Sequence, residues 1–303
     1  MPSRAVGLVR VNPSLSVTGS RADSGMVGND VINENYELLD SGGGRVLEQV
    51  GALVSSRSVP AVWWRRKLAG GEWRRAVDLK RELKQPLKLK IGSLRFLLHP
   101  AGGVRGLAPE LREQWEVIAT RCAAFAEKQR VPARVLHLFG GAGGATLAAA
   151  QAGAAVAHVD ASADAVKRAR EHAALNTLAN RDIRWVVDDP VKFAQRERSQ
   201  TTRYDLIVID PQVPRDAKRG AFELERDLGA LLGTASGLLS DKPIGVLLLC
   251  RQVNVSPTTL LHLMRQEFSV FGGAIEQGEL LLQGAAGVPQ VPSGAFARWL
   301  KAA

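Results

Sequence analysis

Three acidic positions close apolar runs in this chain. Asp160 ends the run over 154–160, Asp189 with Asp188 before it ends 183–189, and Asp210 ends 204–210 and is followed by Pro211. A carboxylate at the end of a buried strand stands where open α/β sheets bind ligands. It can accept from ribose hydroxyls or a base amine, or take up a proton. Ahead of all three, Gly140, Gly141, Gly143 and Gly144 follow the apolar residues Val135, Leu136, Leu138 and Phe139. Glycines there let the backbone reach positive φ and approach a ligand closely, and the helix that follows offers free N–H groups. Together these groups suit a nucleoside cofactor.

The spacing narrows the choice. Gly141 and Gly143 fit the first two positions of a dinucleotide-binding G-x-G-x-x-G, but Thr146 stands at the third. A phosphate-cradling P-loop needs Gly-Lys-Ser/Thr, and no lysine lies nearby. The looser turn that remains is the kind found in S-adenosylmethionine binding, where no pyrophosphate has to be held. A tight strand-to-helix turn in some other parallel-sheet protein is the plain alternative.

The elements that must position these groups alternate. Residues 135–139 read as a strand, the Ala-rich 145–151 as a helix and 154–159 as a second strand. Ser162 is a good N-cap for a helix over 163–175. Further strands are expected over 183–187, 204–209 and 244–249, and helices over 223–239 and 257–268. Two short strands, near 270–275 and 280–283, complete a seven-stranded, mostly parallel, Rossmann-like sheet covered on both faces. Upstream, 36–59 reads as short strands around Gly42 to Gly44, and 87–98 as a hairpin turning near Gly92 and Ser93. A helix over 109–127 puts Trp115, Ile118, Cys122 and Phe125 on one face. The expected layout is a tail over 1–30, a smaller basic β-rich region over 31–108, and the cofactor-binding domain over 109–303.

Charge is concentrated in one block. The net charge is +10, and from Ser41 to Arg105 there are 14 Lys and Arg against 4 Asp and Glu, so the remainder balances. Trp63, Trp64 and Trp73 lie among Arg65, Arg66, Lys67, Arg74 and Arg75. Interleaved aromatics and cations suit single-stranded nucleic acid, though tryptophans packing a small β region fit the pattern as well. Two cysteines, Cys122 and Cys250, allow neither a disulfide framework nor a zinc site and suit a reducing compartment. No run is long and apolar enough to span a membrane. A cytoplasmic location is expected. Residues 1–28 read as a plain tail, with an organelle transit peptide as the alternative.

Several segments together carry a family likeness: YELLDSGGGRVLE, GLAPELREQW, VLHLFGGAGGATLAAAQAGAAVAHVDAS, IRWVVDDPVKF, YDLIVIDP and PSGAFARW. In them the chain resembles the class I S-adenosylmethionine-dependent methyltransferases of the ribosomal-RNA large-subunit cytosine-methyltransferase type, from about Tyr36 to Leu300. The resemblance implies methylation of a base in RNA, ribosomal RNA first. It implies that Phe139 to Gly144, including Gly140, Gly141 and Gly143, wrap the methionine part of the cofactor. It places Asp160 at the ribose, Asp189 with Asp188 at the adenine amine, and Asp210-Pro211 facing the transferable methyl and the target base.

The chain departs from those relatives in places. His137 stands where they usually have Asn, and Gly141-Ala142 where they have Tyr-Thr. Gln212 replaces a second proline, and Val213-Pro214 replaces a small residue and an aromatic. Cytosine C5 chemistry needs a cysteine thiolate, and Cys250 lies about two residues ahead of that position, where Gln252 stands. Two other readings stay open at this level. One is a degenerate relative that binds RNA, and the cofactor with it, without catalysis. The other is a nicotinamide oxidoreductase, which the missing third glycine disfavours.

Overall fold

The computed structural model describes residues 35–100, 103–212, 222–252 and 254–301. The tail or transit-peptide reading of 1–28 and the Val213-Pro214 substitution lie outside the described residues. Three antiparallel strands come first: β1 (Tyr36–Gly42), β2 (Arg45–Val50) and β3 (Leu53–Ser58). Short helices α1 (Gly70–Arg74) and α2 (Leu79–Glu82) lead to the hairpin of β4 (Leu87–Ile91) and β5 (Leu94–Leu98). Helix α3 (Arg112–Gln129) follows a 3-10 turn over Pro109–Leu111 and buries Trp115, Ile118 and Cys122.

The alternating part of the chain then runs β6 (Arg134–Leu138), α4 (Gly144–Gln151), β7 (Ala155–Asp160), α5 (Ala163–Leu175) and β8 (Ile183–Val187). It continues through α6 (Pro190–Ser199), β9 (Leu206–Ile209), α7 (Leu224–Ser236), β10 (Gly245–Cys250) and α8 (Pro257–Phe268). Strands β11 (Ala274–Leu282) and β12 (Val291–Leu300) end it. The seven strands lie in the order β11-β12-β10-β9-β6-β7-β8. The five strands from β10 to β8 are parallel, while β12 runs antiparallel to both β10 and β11. This is the class I methyltransferase arrangement of the Rossmann-like sheet.

Continuous apolar runs make that sheet possible, because each inner strand is covered on both faces. On one face Val135, Leu206 and Leu247 share a core with Trp115, Leu147 and the hairpin residues Leu89 and Phe96. On the other, Leu136, Ile207 and Leu248 meet Phe193, Leu232 and Met264 from α6, α7 and α8. Leu38 and Val46 of the first sheet join Leu282 and Val291 in a third cluster. The basic N-terminal region is therefore packed through shared cores onto the larger sheet.

The end of the sheet and one helix depart most from the sequence reading. Residues 270–283 do not form two short strands. Ser269–Phe271 is a 3-10 turn, β11 is a single strand of nine residues, and the missing strand is β12. The reason is that β11 is the sheet edge. Its first half is mostly exposed, with only Ile275 and Gly278 half-buried, so Glu276, Gln277 and Glu279 hide its period. Helix α6 escaped notice as well, because only Pro190, Phe193, Ala194 and Glu197 are buried in a run otherwise rich in charge.

Candidate functional site

The register of the parallel strands assembles the site. Leu138 pairs with Val159 on one side and with Ile209 on the other, so these three residues form one row. Phe139, Asp160 and Asp210 therefore leave the sheet side by side at the C-terminal ends of β6, β7 and β9. From β6 the chain proceeds outward through β7 and β8, then returns to build β9 and β10 on the other flank. The β6/β9 boundary is thus a topological switch point, where loops diverge and leave a crevice.

A cavity of about 810 Å3 opens there. Phe139, Gly141, Asp160 and Asp189 line it, as do Ser162, Pro190, Gln212 and Phe222. The chain turns sharply at its floor: Phe139 takes φ +58 and Gly141 φ +51. The Asp160 carboxylate fixes this turn. One oxygen accepts from the Gly141 N–H and the other from the Ser162 N–H, each at 2.8 Å. Each oxygen keeps a second lone pair, and Asp160 lines the cavity. A Cβ on Gly141 would lie 2.5 Å from the Gln212 amide nitrogen, so glycine is what lets Gln212 rest against the turn.

The other expected site residues are placed differently. Gly140, Gly143 and Asp210 line a second, water-sized cavity beneath the turn, together with His137, Trp115 and Arg251. Gln212, Ala142, Gly106 and Leu107 border both spaces, so the small one adjoins the large one past Gln212. Pro211 is buried and borders neither. Asp188 is ion-paired with Arg196. Asp189 caps α6, its Oδ1 accepting from the N–H groups of Val191 at 2.9 Å and Lys192 at 3.0 Å. The Asp189 side chain is thus at the cavity wall with one oxygen committed, while Asp188 is turned to its arginine.

Asp210 is 5% exposed. Its Oδ1 accepts from Arg251 Nε at 3.3 Å, and Arg251 Nη1 lies 3.9 Å from Glu110. Burial pushes both carboxyls above their ordinary range, more than the guanidinium between them can offset. An acid held this way takes up a proton more readily than a surface carboxylate. Sequence reading missed Arg251 and Glu110, which lie 141 residues apart and meet only in the fold. It also missed the wall formed by β5 and α5, where His99, Arg168 and His172 face the large cavity. An amphipathic α5 would have been the signal.

Under the turn, Thr146 Oγ1 sits 2.8 Å from His137 Nδ1 and 2.9 Å from His158 Nδ1. The hydroxyl has one proton, so one imidazole donates to it and the other accepts, and the two rings are opposite tautomers. Both Nε2 atoms are buried without a partner. Burial, helped by Arg251, lowers the His137 pKa from 6.5 to about 3. The neutral ring is favoured in the fold, so its contribution is complete above pH 6.5 and declines as pH falls. Replacing His137 by Asn should therefore flatten the acid side of the stability curve. Between pH 6.5 and 4.5 the wild type should lose roughly 2–3 kcal/mol more than His137→Asn, at about 1.4 kcal/mol per pH unit. Urea midpoints across that range check this, and parallel curves would show that His137 is not a buried neutral base.

Both cysteines are buried in the cores, and burial pushes each thiol up to about 12. Neither presents a thiolate at neutral pH. Among the described residues no group of three or more acids, histidines or cysteines could hold a metal ion, and no helix is long and apolar enough to cross a membrane.

Comparison with known proteins matches these features. The family described as Conserved hypothetical protein 95 matches residues 116–224, from α3 to the start of α7. The 23S rRNA (uracil(1939)-C(5))-methyltransferase of Dechloromonas aromatica is 38% identical over 96 residues, covering 32% of this chain and 21% of that protein. The ribosomal RNA large subunit methyltransferase K/L of Methylococcus capsulatus is 35% identical over 116 residues, 37% of this chain and 15% of its own. The chain thus matches about a fifth or less of the length of these relatives. A SAM-dependent methyltransferase structure from Agrobacterium tumefaciens superposes with a TM-score of 0.78 at 29% identity, over 89% of this chain and 91% of that one.

Proposed function

We propose that this chain is an S-adenosylmethionine-dependent methyltransferase that modifies a base in RNA, ribosomal RNA first. The observation that carries the reading is the Asp160–Gly141 clasp at the floor of a cavity of about 810 Å3, at the switch point of the sheet. That volume lies within the ~300–1,000 Å3 of small-molecule sites. An acid that keeps accepting capacity stands at the end of β7. The likeness to rRNA methyltransferases over the same segment, and to a SAM-dependent methyltransferase over nearly the whole fold, supports it.

The residues present fit the cofactor. Asp160 would accept from its ribose hydroxyls, Asp189 with the start of α6 would flank its base, and Phe139 to Gly143 would border its amino-acid part. When bound, the cofactor supplies a methyl group already activated on a sulfonium. The chain then has to align the acceptor and exclude water. Phe139 and Phe222, with ring centroids 4.9 Å apart, close one side of the cavity. Gln212 offers an amide donor and acceptor to a base edge. A nitrogen acceptor sheds a proton as it is methylated, and Asp210, its proton affinity raised by burial, would take it from the small cavity that adjoins the large one past Gln212. Since neither cysteine is a usable thiolate, we infer that the acceptor is a base nitrogen, which attacks with its own lone pair, rather than pyrimidine C5. In this reading residues 31–108 are the RNA-facing part and 109–303 the catalytic part, working in the cytoplasm.

Tritiated methyl incorporation into rRNA from a strain lacking the gene tests the proposal, with nucleoside mass spectrometry to place the product. Incorporation should require S-adenosylmethionine, and calorimetry should show binding of S-adenosylhomocysteine but not NAD. Homocysteine-form binding without transfer would leave the degenerate reading standing. Asp160→Ala should weaken S-adenosylhomocysteine binding by about 2 kcal/mol, the worth of hydrogen bonds to a charged group. Unchanged affinity in the folded variant would remove Asp160 from the site.

A further inference from the structure

Asp40 organises the basic block. It is 1% exposed on β1, and its carboxylate accepts from the N–H groups of Ser41 at 2.8 Å, Lys67 at 3.1 Å and Leu68 at 2.9 Å, and from the Trp73 indole at 3.0 Å. Burial raises its pKa, but these donors outweigh burial and hold the carboxyl below its usual range. The turn between β1 and β2 grips the same segment: Gly43 N–H donates to Trp64 O at 2.8 Å and Gly44 N–H to Val62 O at 2.6 Å. The segment 60–68 is thus tied down at both ends.

What this fixed segment presents is specific. Trp73 points inward to Asp40, and Trp64 donates to Ser41 Oγ at 3.0 Å. Trp63 does the opposite. It is 88% exposed, yet its indole N–H donates to Pro60 O at 2.7 Å, so the ring has a set place with its faces open to solvent. Arg65, Arg66 and Lys67 are exposed beside it in sequence. A ring held in one place and exposed to solvent is available to stack on a flat partner such as a base.

A cleft of about 600 Å3 continues from this loop, lined by Arg66, Arg45, Lys80, Ser55 and Ser56. Gly103 lines the cleft and also the large cavity. Two acids share the cleft, and both are engaged. Glu48 is held in a two-pronged bond by Arg57, and Asp78 caps α2 through the Lys80 N–H at 3.0 Å. Arg66 thus joins the loop that carries Trp63 to this cationic cleft, and Gly103 joins the cleft to the large cavity.

Resting on the RNA reading above, we propose that the Trp63 loop and this cleft form a track for single-stranded RNA next to the modified base. Trp63 stacks on an unpaired base, while Arg65, Arg66, Lys67, Arg45 and Lys80 meet phosphates. Stacking on an aromatic is sequence-tolerant and excludes paired bases, so the track selects strand state rather than sequence.

Fluorescence anisotropy with the full chain tests this, using a labelled mixed-sequence RNA of about 12 nucleotides, within the range one such surface covers, and the same RNA as a duplex. Trp63→Ala should weaken single-strand binding by about 5- to 100-fold, and Trp63→Phe should keep most of it. Duplex binding should be weaker and insensitive to Trp63→Ala. Changing Arg65, Arg66 and Lys67 together to glutamine should flatten the salt dependence. S-adenosylhomocysteine affinity should stay unchanged in all variants, since the glycine turn is untouched. Single-strand binding that ignores Trp63→Ala overturns the track, and so does an equal loss for the duplex. If the wild type binds the homocysteine form but no RNA, the track falls and the cofactor reading stands. If it binds the single strand through Trp63 but no cofactor, the methyltransferase reading falls instead.

Discussion

Arg251→Ala should cost about 3–5 kcal/mol of folding stability at neutral pH, the usual result of leaving buried charge uncompensated. Its side chain is 11% exposed and lies between the side chains of Asp210 and Glu110, each 7% exposed. Alanine would leave two carboxyls facing each other in a core with no cation between them. Arg251 Nη1 also donates to Arg105 O at 3.3 Å, so the variant frees the turn before α3 as well. Both carboxyls have folded pKa values raised by burial, so they protonate early as pH falls, and the penalty should shrink toward acid. Urea unfolding at neutral and at acid pH measures this. Adding Asp210→Asn and Glu110→Gln to Arg251→Met should recover much of the loss, because apolar and neutral groups then share the site. A loss below about 1 kcal/mol at neutral pH, no larger than an exposed ion pair, would show that the cluster does not hold the loops around the site.

Asp210→Asn should lower methyl transfer by about 100-fold or more while S-adenosylhomocysteine affinity holds. The replacement keeps shape and a hydrogen-bond acceptor for Arg251 but cannot take a proton, and a positioned base contributes about 10²–10⁴ in rate. The loss should therefore appear in kcat rather than in KM for RNA. Folding should change little, since the variant removes a buried charge and leaves Arg251 with Glu110. Wild-type kcat/KM should also fall on the acid side through the raised Asp210 pKa, and that limb should vanish in the residual activity of the variant. Single-turnover transfer at several pH values decides it. An Asn variant at full rate would remove Asp210 as proton acceptor and leave alignment by Gln212 and the cavity walls as the chain's whole contribution.

Much of the fold was legible because its signals are local. The apolar runs, Ser162 as a cap and the hairpin turn at Gly92-Ser93 each act over a few residues. The full extent of the edge strand β11, read as two short strands, and helix α6 were not legible, because their exposed positions carry no period. The same limit applies to the tryptophans. Trp63, Trp64 and Trp73 look alike in sequence, and only their partners in the fold, Asp40 for Trp73, Ser41 for Trp64 and the Pro60 carbonyl for Trp63, decide which turn inward and which stays out.

By itself, the sequence determined the parallel sheet, the glycine turn after its first strand, the acids at three strand ends and the basic block before them. These follow from residue type and short-range spacing, which fix hydrophobic period and backbone freedom. Only the tertiary structure decided what each acid does. The strand register sets Asp160 under the turn, where its oxygens take two amides and it still lines the cavity. It sets Asp210 beneath the turn against Arg251, while helix α6 claims Asp189 and Arg196 claims Asp188. A carboxylate's role is set by which donors and charges reach it and by how much water is left around it. Those partners lie as far off as Arg251 is from Glu110, a distance over which a chain carries no local signal.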